Sequence, residues 1–245
     1  MKKKKDSVYD NVKTLFLAIL AAILIRSFLL EPFSIPSGSM YPNLKVGDYL
    51  FVSKSSYGFS RHSFPFSVPV IPKRILYEQP NRGDIVVFKT PEDNKTDYIK
   101  RLIGLPGDKI RIENNEIFIN DKKIAREKLG NEKYKNLEVE KYKETLPNGK
   151  FYYVYEIVEE LPYFDTDNFS EIVISENEFF VIGDNRDNSQ DSRFIGNIPK
   201  ENLVGKALVV MLSFDGEKGS WWKFWTWISA LRKDRFFFSL LPDEN

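Results

Sequence analysis

The stretch Lys109-Ile110-Arg111-Ile112-Glu113-Asn114-Asn115-Glu116-Ile117-Phe118-Ile119 alternates charged and apolar residues, pauses at two asparagines, and resumes an apolar run. A period of two puts Ile110 and Ile112 on one face of an extended strand. Asn114-Asn115 tolerates the backbone of a tight turn, so the stretch predicts a β-hairpin. Three Gly-Asp pairs, Gly47-Asp48, Gly83-Asp84 and Gly107-Asp108, lead into further strand-like runs, among them Tyr49-Leu50-Phe51-Val52 and Ile85-Val86-Val87-Phe88. A fourth pair lies at Gly183-Asp184. Further strands are expected over Phe151–Val158, Glu178–Ile182 and Leu203–Leu212, and no long amphipathic helical pattern occurs between Glu31 and Phe214. This part of the chain is mainly β.

With 245 residues, 42% of them hydrophobic and 15% aromatic, the chain is able to build a sizeable core. A net charge of +1, with both signs spread throughout, lacks the concentrated basic face of a nucleic-acid binder. There is no cysteine, which excludes disulfides, thiolate metal sites and thiol catalysis.

Ahead of the β region, Leu15 to Ile25 is uninterrupted apolar sequence, preceded by Lys2–Lys5 and followed by Arg26-Ser27 and Phe28-Leu29-Leu30. Residues 14–30 are expected to form one transmembrane helix at the short end of the roughly 17–25 residues a bilayer needs. Arg26 would snorkel at its far end. A cleavable signal peptide shares the basic start and apolar core, but the bulky residues 28–30 favour a retained anchor. The positive-inside bias then leaves residues 1–13 in the cytoplasm and everything after Glu31 on the other side.

Residues 31–214 are expected to form the main domain, with an insertion over about 121–175. The lysine- and glutamate-rich run Ala125–Glu144 within it is expected to be a solvated face. Tyr57–Ile71 carries Phe59, Phe64, Phe66, Val68 and Val70 around the sole histidine, His62. It admits two readings, a loop resting on lipid or one packed on its own domain. His62 is read as incidental, because a metal site needs several converging ligands. The tail 215–245 combines Trp221, Trp222, Phe224, Trp225, Trp227 and Phe236–Phe238 with Lys223, Arg232, Lys233 and Arg235. That composition suits a membrane interface, and equally a cover for the β core.

Ser39 lies in Pro36-Ser37-Gly38-Ser39-Met40-Tyr41-Pro42, where two prolines restrict the backbone and Gly38 permits close approach. A serine hydroxyl needs a base, and with no cysteine and one histidine the base worth considering is lysine. Lys100, in Tyr98-Ile99-Lys100-Arg101-Leu102, is the candidate. A free lysine near pKa 10.4 is neutral about once in a few thousand at pH 7, so Lys100 must be desolvated.

The runs Glu31–Lys54, Arg82–Phe88, Tyr98–Asp108 and Gly183–Gly196 occur in this order, and together they closely resemble bacterial type I signal peptidases. The resemblance implies an antiparallel β-sheet catalytic domain on one N-terminal transmembrane helix. It assigns Ser39 as nucleophile, Lys100 as general base, Ser37 with the Ser39 backbone N–H as oxyanion hole, and Ser189 as the hydroxyl that orients the lysine. Asp184, Asp191 and Arg193 would support the site. Ile195 departs from the aromatic residue usual at its position, which bears on packing more than on catalysis. Phe33, Ile35, Met40, Leu44, Tyr98 and Ile99 would line the substrate pockets, with a peptide bound as an extended strand between Phe33–Ser37 and Asp97–Lys100.

The implied function is cleavage of signal peptides from secreted preproteins after small residues, with no metal or cofactor. The implied place is the bacterial cytoplasmic membrane, single-pass, near the secretion translocon, with the catalytic domain outside. Two other readings stand beside it: a serine/lysine peptidase with restricted clients, and a catalytically silent tethered binding protein.

Overall fold

The computed structural model describes residues 8–64, 67–69, 71–159, 166–216, 218–219, 224–241 and 243–244. Lys2–Lys5, Phe66, Val70, Trp221, Trp222 and Lys223 lie outside them.

Helix α1 (Val8–Phe28) passes through Leu29 into β1 (Leu30–Ser34). The helix therefore starts earlier than Thr14 and stops short of Leu30, which is already paired with Ser53. Leu15, Phe16, Leu17, Ile19, Leu20 and Ile23 of α1 are exposed. Among the described residues no helix is long and apolar enough to cross a membrane.

Beyond α1 the described residues form three antiparallel sheets. The largest runs β1, β2 (Asp48–Ser53), β14 (Leu203–Ser213), β3 (Ile85–Lys89), β4 (Asp97–Gly104), β12 (Glu178–Ile182) and β13 (Ile198–Pro199), with β15 (Phe238–Ser239) against β14. A second contains β5 (Lys109–Glu113), β6 (Glu116–Ile119), β7 (Lys122–Lys123) and β11 (Phe169–Val173). The hairpin expected at Asn114-Asn115 is present, both asparagines having positive φ. The third sheet contains β8 (Ala125–Tyr134), β9 (Leu137–Thr145), β10 (Lys150–Ile157) and β16 (Asp243–Glu244).

Three turns repeat one device. Gly47, Gly83 and Gly107 take φ of 91°, 94° and 85°, which a side chain would resist. The following Asp48, Asp84 and Asp108 each donate their N–H to the carbonyl three residues back, and accept that residue's N–H on a carboxylate oxygen. Each carboxylate also holds a basic side chain, Arg235, Lys206 and Arg82 respectively, at 2.6, 2.7 and 2.8 Å. The Gly-Asp signal is thus a turn that opens a strand and anchors it by charge. Gly183-Asp184 is different, since it closes β12.

The unbroken apolar run in β3 follows from burial on two faces. Ile85 and Val87 join a core with Ile35, Met40, Leu44, Leu50, Val52 and Val210, while Val86 and Phe88 join another with Tyr57, Leu102, Phe179, Val181 and Leu203. Ile195 packs on the second core, so an aliphatic residue fills that position.

The expectation for Ala125–Glu144 is corrected in part. Its outer charges are exposed, yet Glu144 is 1% exposed and ion-paired with the buried Arg186 of the Gly183–Gly196 run. Tyr134, Val139 and Glu144 are buried, and Val139 and Glu144, five residues apart on β9, lie on opposite faces of the sheet. Of the Tyr57–Ile71 segment, Tyr57, Ser60, His62 and Ser63 are buried, and Phe59 and Phe64 stack edge-on against Phe28 at 5.3 and 5.7 Å. Its base is packed on the domain and the end of α1, while Val68 remains exposed. His62 Nδ1 pairs with Ser67 Oγ at 2.9 Å.

Candidate active site

The Ser39 loop leaves β1 at Ile35, whose N–H donates to Asp48 O, and coils through a turn in which Tyr41 N–H donates to Gly38 O and Leu44 N–H to Met40 O. Asn185 grips this loop twice. Its backbone N–H donates to Ser39 O and its side-chain amide to Gly38 O, both at 3.0 Å. With the Ser39 carbonyl held on that side, its hydroxyl lies 2.8 Å from Lys100 Nζ.

Lys100 sits on β4 opposite Val86. Tyr98 and Leu102, two residues away in each direction on the same face, belong to the apolar core that includes Val86, and Nζ lies 5.3 Å from the Tyr98 ring centroid. Ile99 faces the other core, so Tyr98 and Leu102 supply the desolvation. The lysine is 4% exposed, and its Nζ donates to Ser39 Oγ and to Ile99 O rather than to a carboxylate. Burial lowers its pKa to about 8, with Arg193 adding to the effect and Asp191 and Asp184 opposing it. At pH 7 roughly a tenth of such a group is neutral, several hundred times the fraction of a free lysine.

The two nearby carboxylates are occupied elsewhere. Asp184 accepts two hydrogen bonds from Arg101 at 2.8 and 2.7 Å and one from Asn43 at 2.7 Å. Asp191 accepts the Gly183 N–H at 2.9 Å and two bonds from Arg193 at 2.9 and 2.8 Å. Burial pushes the Asp191 carboxyl up, but the Arg193 guanidinium outweighs it and leaves the group below the usual carboxylate range. Committed to arginines, both aspartates fix the framework and make no hydrogen bond to Lys100, though their charges still favour its protonated form.

Ser37 is exposed, and its Oγ lies 3.4 Å from Ser39 Oγ. Ser189 is 8% exposed; its Oγ makes no hydrogen bond to Lys100 and stands beside Asp191, whose carboxyl it helps to hold low. It packs on Gly183, where an added Cβ would stand 2.2 Å from Ser189 Oγ and 2.6 Å from Ser39 O. That crowding explains glycine at 183, whose φ is ordinary.

A cleft of about 680 Å³ runs from this pair between Pro32–Ser37 and Thr96–Lys100, with Val87 on its floor and Asn188 and Gln190 at its end. Both walls offer unpaired strand edges. β1 is the terminal strand of the sheet, and the pairing of β4 with β12 covers only Arg101 to Gly104. Phe33, Ile35, Tyr98 and Ile99 line the cleft. Met40 and Leu44 do not. Both are fully buried in the core beneath it, because the turn after Ser39 directs them inward beside Ile35.

Four residues around the site escaped the sequence reading. Arg101 and Asn43 hold Asp184, and Asn185 holds the Ser39 loop. Tyr134, from the insertion, packs on Gly38. Arg101 carried one usable signal, a second cation beside Lys100 in a strand leading into the core; the others depend on partners remote in sequence.

The family model described as signal peptidase, peptidase S26, matches residues 8–212. Signal peptidase I of Rickettsia typhi is 38% identical over 97% of this chain and 96% of its own. That of Rickettsia conorii is 41% identical over 91% of this chain and 89% of its own. A crystal structure of signal peptidase I from Enterococcus faecalis is 25% identical and covers 53% of this chain and 97% of its own, with a TM-score of 0.32.

Proposed function

The chain belongs to the signal peptidase family, peptidase S26, and is a serine peptidase of the signal peptidase I type; from that premise we propose that Ser39 is the nucleophile and Lys100 its general base. The observation that carries the reading is the 2.8 Å contact between Ser39 Oγ and a buried lysine with no carboxylate bonded to it. Neutral Lys100 takes the hydroxyl proton as Ser39 Oγ attacks the carbonyl carbon of the scissile bond. The oxyanion is held by Ser37 Oγ and the Ser39 backbone N–H, and losing one such donor typically costs about a hundred- to thousandfold in rate. The proton on Lys100 passes to the departing amine, leaving an ester at Ser39. Water, deprotonated by Lys100, then releases the acyl group. Asp184, Asp191 and Arg193 keep the lysine's surroundings fixed, and Ser189 limits its movement.

The substrate is the signal peptide of a secreted preprotein. It lies as an added strand between the free edges of β1 and β4, which explains tolerance of sequence together with pockets for alternate side chains. Phe33, Ile35, Tyr98 and Ile99 shape those pockets, with Met40 and Leu44 setting their depth from below. A restricted set of clients would use the same cleft.

Residues 14–28 serve as a membrane anchor, with 1–13 in the cytoplasm and 31–214 outside, close to where preproteins emerge from the translocon. Support comes from the apolar run Leu15–Ile25 and from the exposed apolar side chains of Leu15, Phe16, Leu17, Ile19, Leu20 and Ile23. The aromatic tail 215–245 would rest at the interface, since Trp225, Ile228 and Phe237 are exposed. Purified protein carrying Ser39→Ala should not cleave a preprotein that the unaltered protein processes; turnover by this variant would overturn the assignment. Protease added to spheroplasts should digest the β domain, and full protection would reverse the topology.

A further inference from the structure

The insertion hairpin reaches the nucleophile. β8 ends at Tyr134, and this residue, 5% exposed, forms a small apolar cluster with Val139 and Tyr155 into which Tyr41 of the Ser39 loop is packed. The Tyr134 and Tyr41 rings stand 4.8 Å apart, and Tyr41 and Tyr155 5.9 Å. The contact on Gly38 is closer still: a Cβ built there would lie 1.7 Å from the Tyr134 hydroxyl and 2.9 Å from Cζ. Gly38 has an ordinary φ, so the space taken by the phenol is what requires glycine at this position.

The same sheet holds the other grip on the loop. Tyr155 N–H donates to Asp184 O at 2.9 Å, beside the Asn185 that binds the Gly38 and Ser39 carbonyls. Asn188, at the end of the cleft, reaches the Tyr134 hydroxyl at 3.5 Å.

We propose that Tyr134 is a positioning residue for the cleavage reaction, and that the insertion sheet presses the Ser37–Ser39 loop toward Lys100. The proposal rests on the Ser39/Lys100 reading. The loop is held by prolines at its ends and by Asn185 at the Gly38 and Ser39 carbonyls, and Tyr134 fills the space against Gly38. A displacement of about 1 Å at a nucleophile is enough to cost two orders of magnitude in rate.

The test uses the full-length protein in detergent with a purified preprotein, measuring kcat and KM separately. Tyr134→Ala should lower kcat ten- to a hundredfold with KM within threefold, because substrate contacts on β1 and β4 are untouched. Tyr134→Phe, which keeps the ring, should retain most of kcat. Gly38→Ala should be nearly inactive, and adding Tyr134→Ala should restore at least tenfold of the loss by freeing the space. An unchanged kcat in Tyr134→Ala overturns the proposal, as does a double variant no better than Gly38→Ala alone. Ser39→Ala run in parallel separates the two ideas. If Ser39→Ala still cleaves, the nucleophile assignment falls; if it is inactive while Tyr134→Ala is normal, only the role of Tyr134 falls.

Discussion

Two buried lysines in this molecule have opposite surroundings. Lys54, at the end of β2, is 2% exposed, ion-paired with Glu31 at 2.7 Å and bonded to Ser63 O at 2.9 Å. It ties the start of β1 to the segment beyond β2. Lys100 is 4% exposed and faces a hydroxyl and a carbonyl, while the carboxylates around it are engaged by Arg101 and Arg193. Burial is common to both. The carboxylate partner makes Lys54 part of a structural ion pair, whereas at Lys100 no carboxylate is bonded and burial brings the neutral amine within reach of ordinary pH.

The largest effect that would break this comparison is at Lys100. Lys100→Ala should reduce preprotein cleavage by at least about a thousandfold, in the upper range of losses for a general base. A purified variant within tenfold of the unaltered protein would refute the contrast. Next comes pH. The neutral amine is the active form, so single-turnover rates should rise with pH, level off above about 8, and fall close to tenfold per unit on acidification. A limb that persists in a variant at Lys100 would belong to another group.

Stability should respond in a related way. The folded pKa of Lys100 lies below its unfolded value of 10.5, so the unfolded chain binds more protons between about 8 and 10.5. This group's contribution to stability therefore improves as pH rises through that window, and its penalty is fully present below it. Lys100→Met should be inactive yet more stable at pH 7 by urea titration, by up to about 3 kcal/mol. Lower stability would show that the lysine makes a favourable contact the comparison has missed.

Lys54 should behave in reverse. Lys54→Met removes one member of a buried ion pair and should destabilise the fold by up to about 3–5 kcal/mol, with Glu31→Leu recovering part of it in the double variant. Activity per folded molecule should stay within threefold, and a larger loss would place Lys54 in the chemistry. The smallest effect is Ser189→Ala, expected to lower kcat several-fold by loosening the packing around Lys100; an unchanged rate would make Ser189 a space-filler for Gly183.

Much of this was legible in the sequence because the relevant instructions are local. Each strand-opening Gly-Asp pair names a turn within four residues, and Lys109–Ile119 names both halves of a hairpin. Ser39 and Lys100 were found through ordered motifs that keep company along the chain. The insertion was misjudged for the opposite reason. Composition marked Ala125–Glu144 as solvated, but Glu144 is buried by Arg186 and Tyr134 by Gly38, partners that no local pattern reveals. Met40 and Leu44 failed similarly, since a turn decides which of its apolar residues face a cleft and which face the core behind it.

The position of β14 bears on how the molecule comes into being. It lies between β2 and β3, pairing Lys206 with Ser53 on one side and Val86 on the other, although these partners precede it by 153 and 120 residues. While the protein is being made, β2 and β3 have nothing to join them until residues 203–213 have been delivered. Closing so long a loop is slow and leaves two apolar strand edges unpaired in the meantime. The domain thus has no half that matures alone: the walls of the cleft acquire their common sheet only when the last fifth of the polypeptide arrives, and chains released earlier are candidates for aggregation rather than for partial activity.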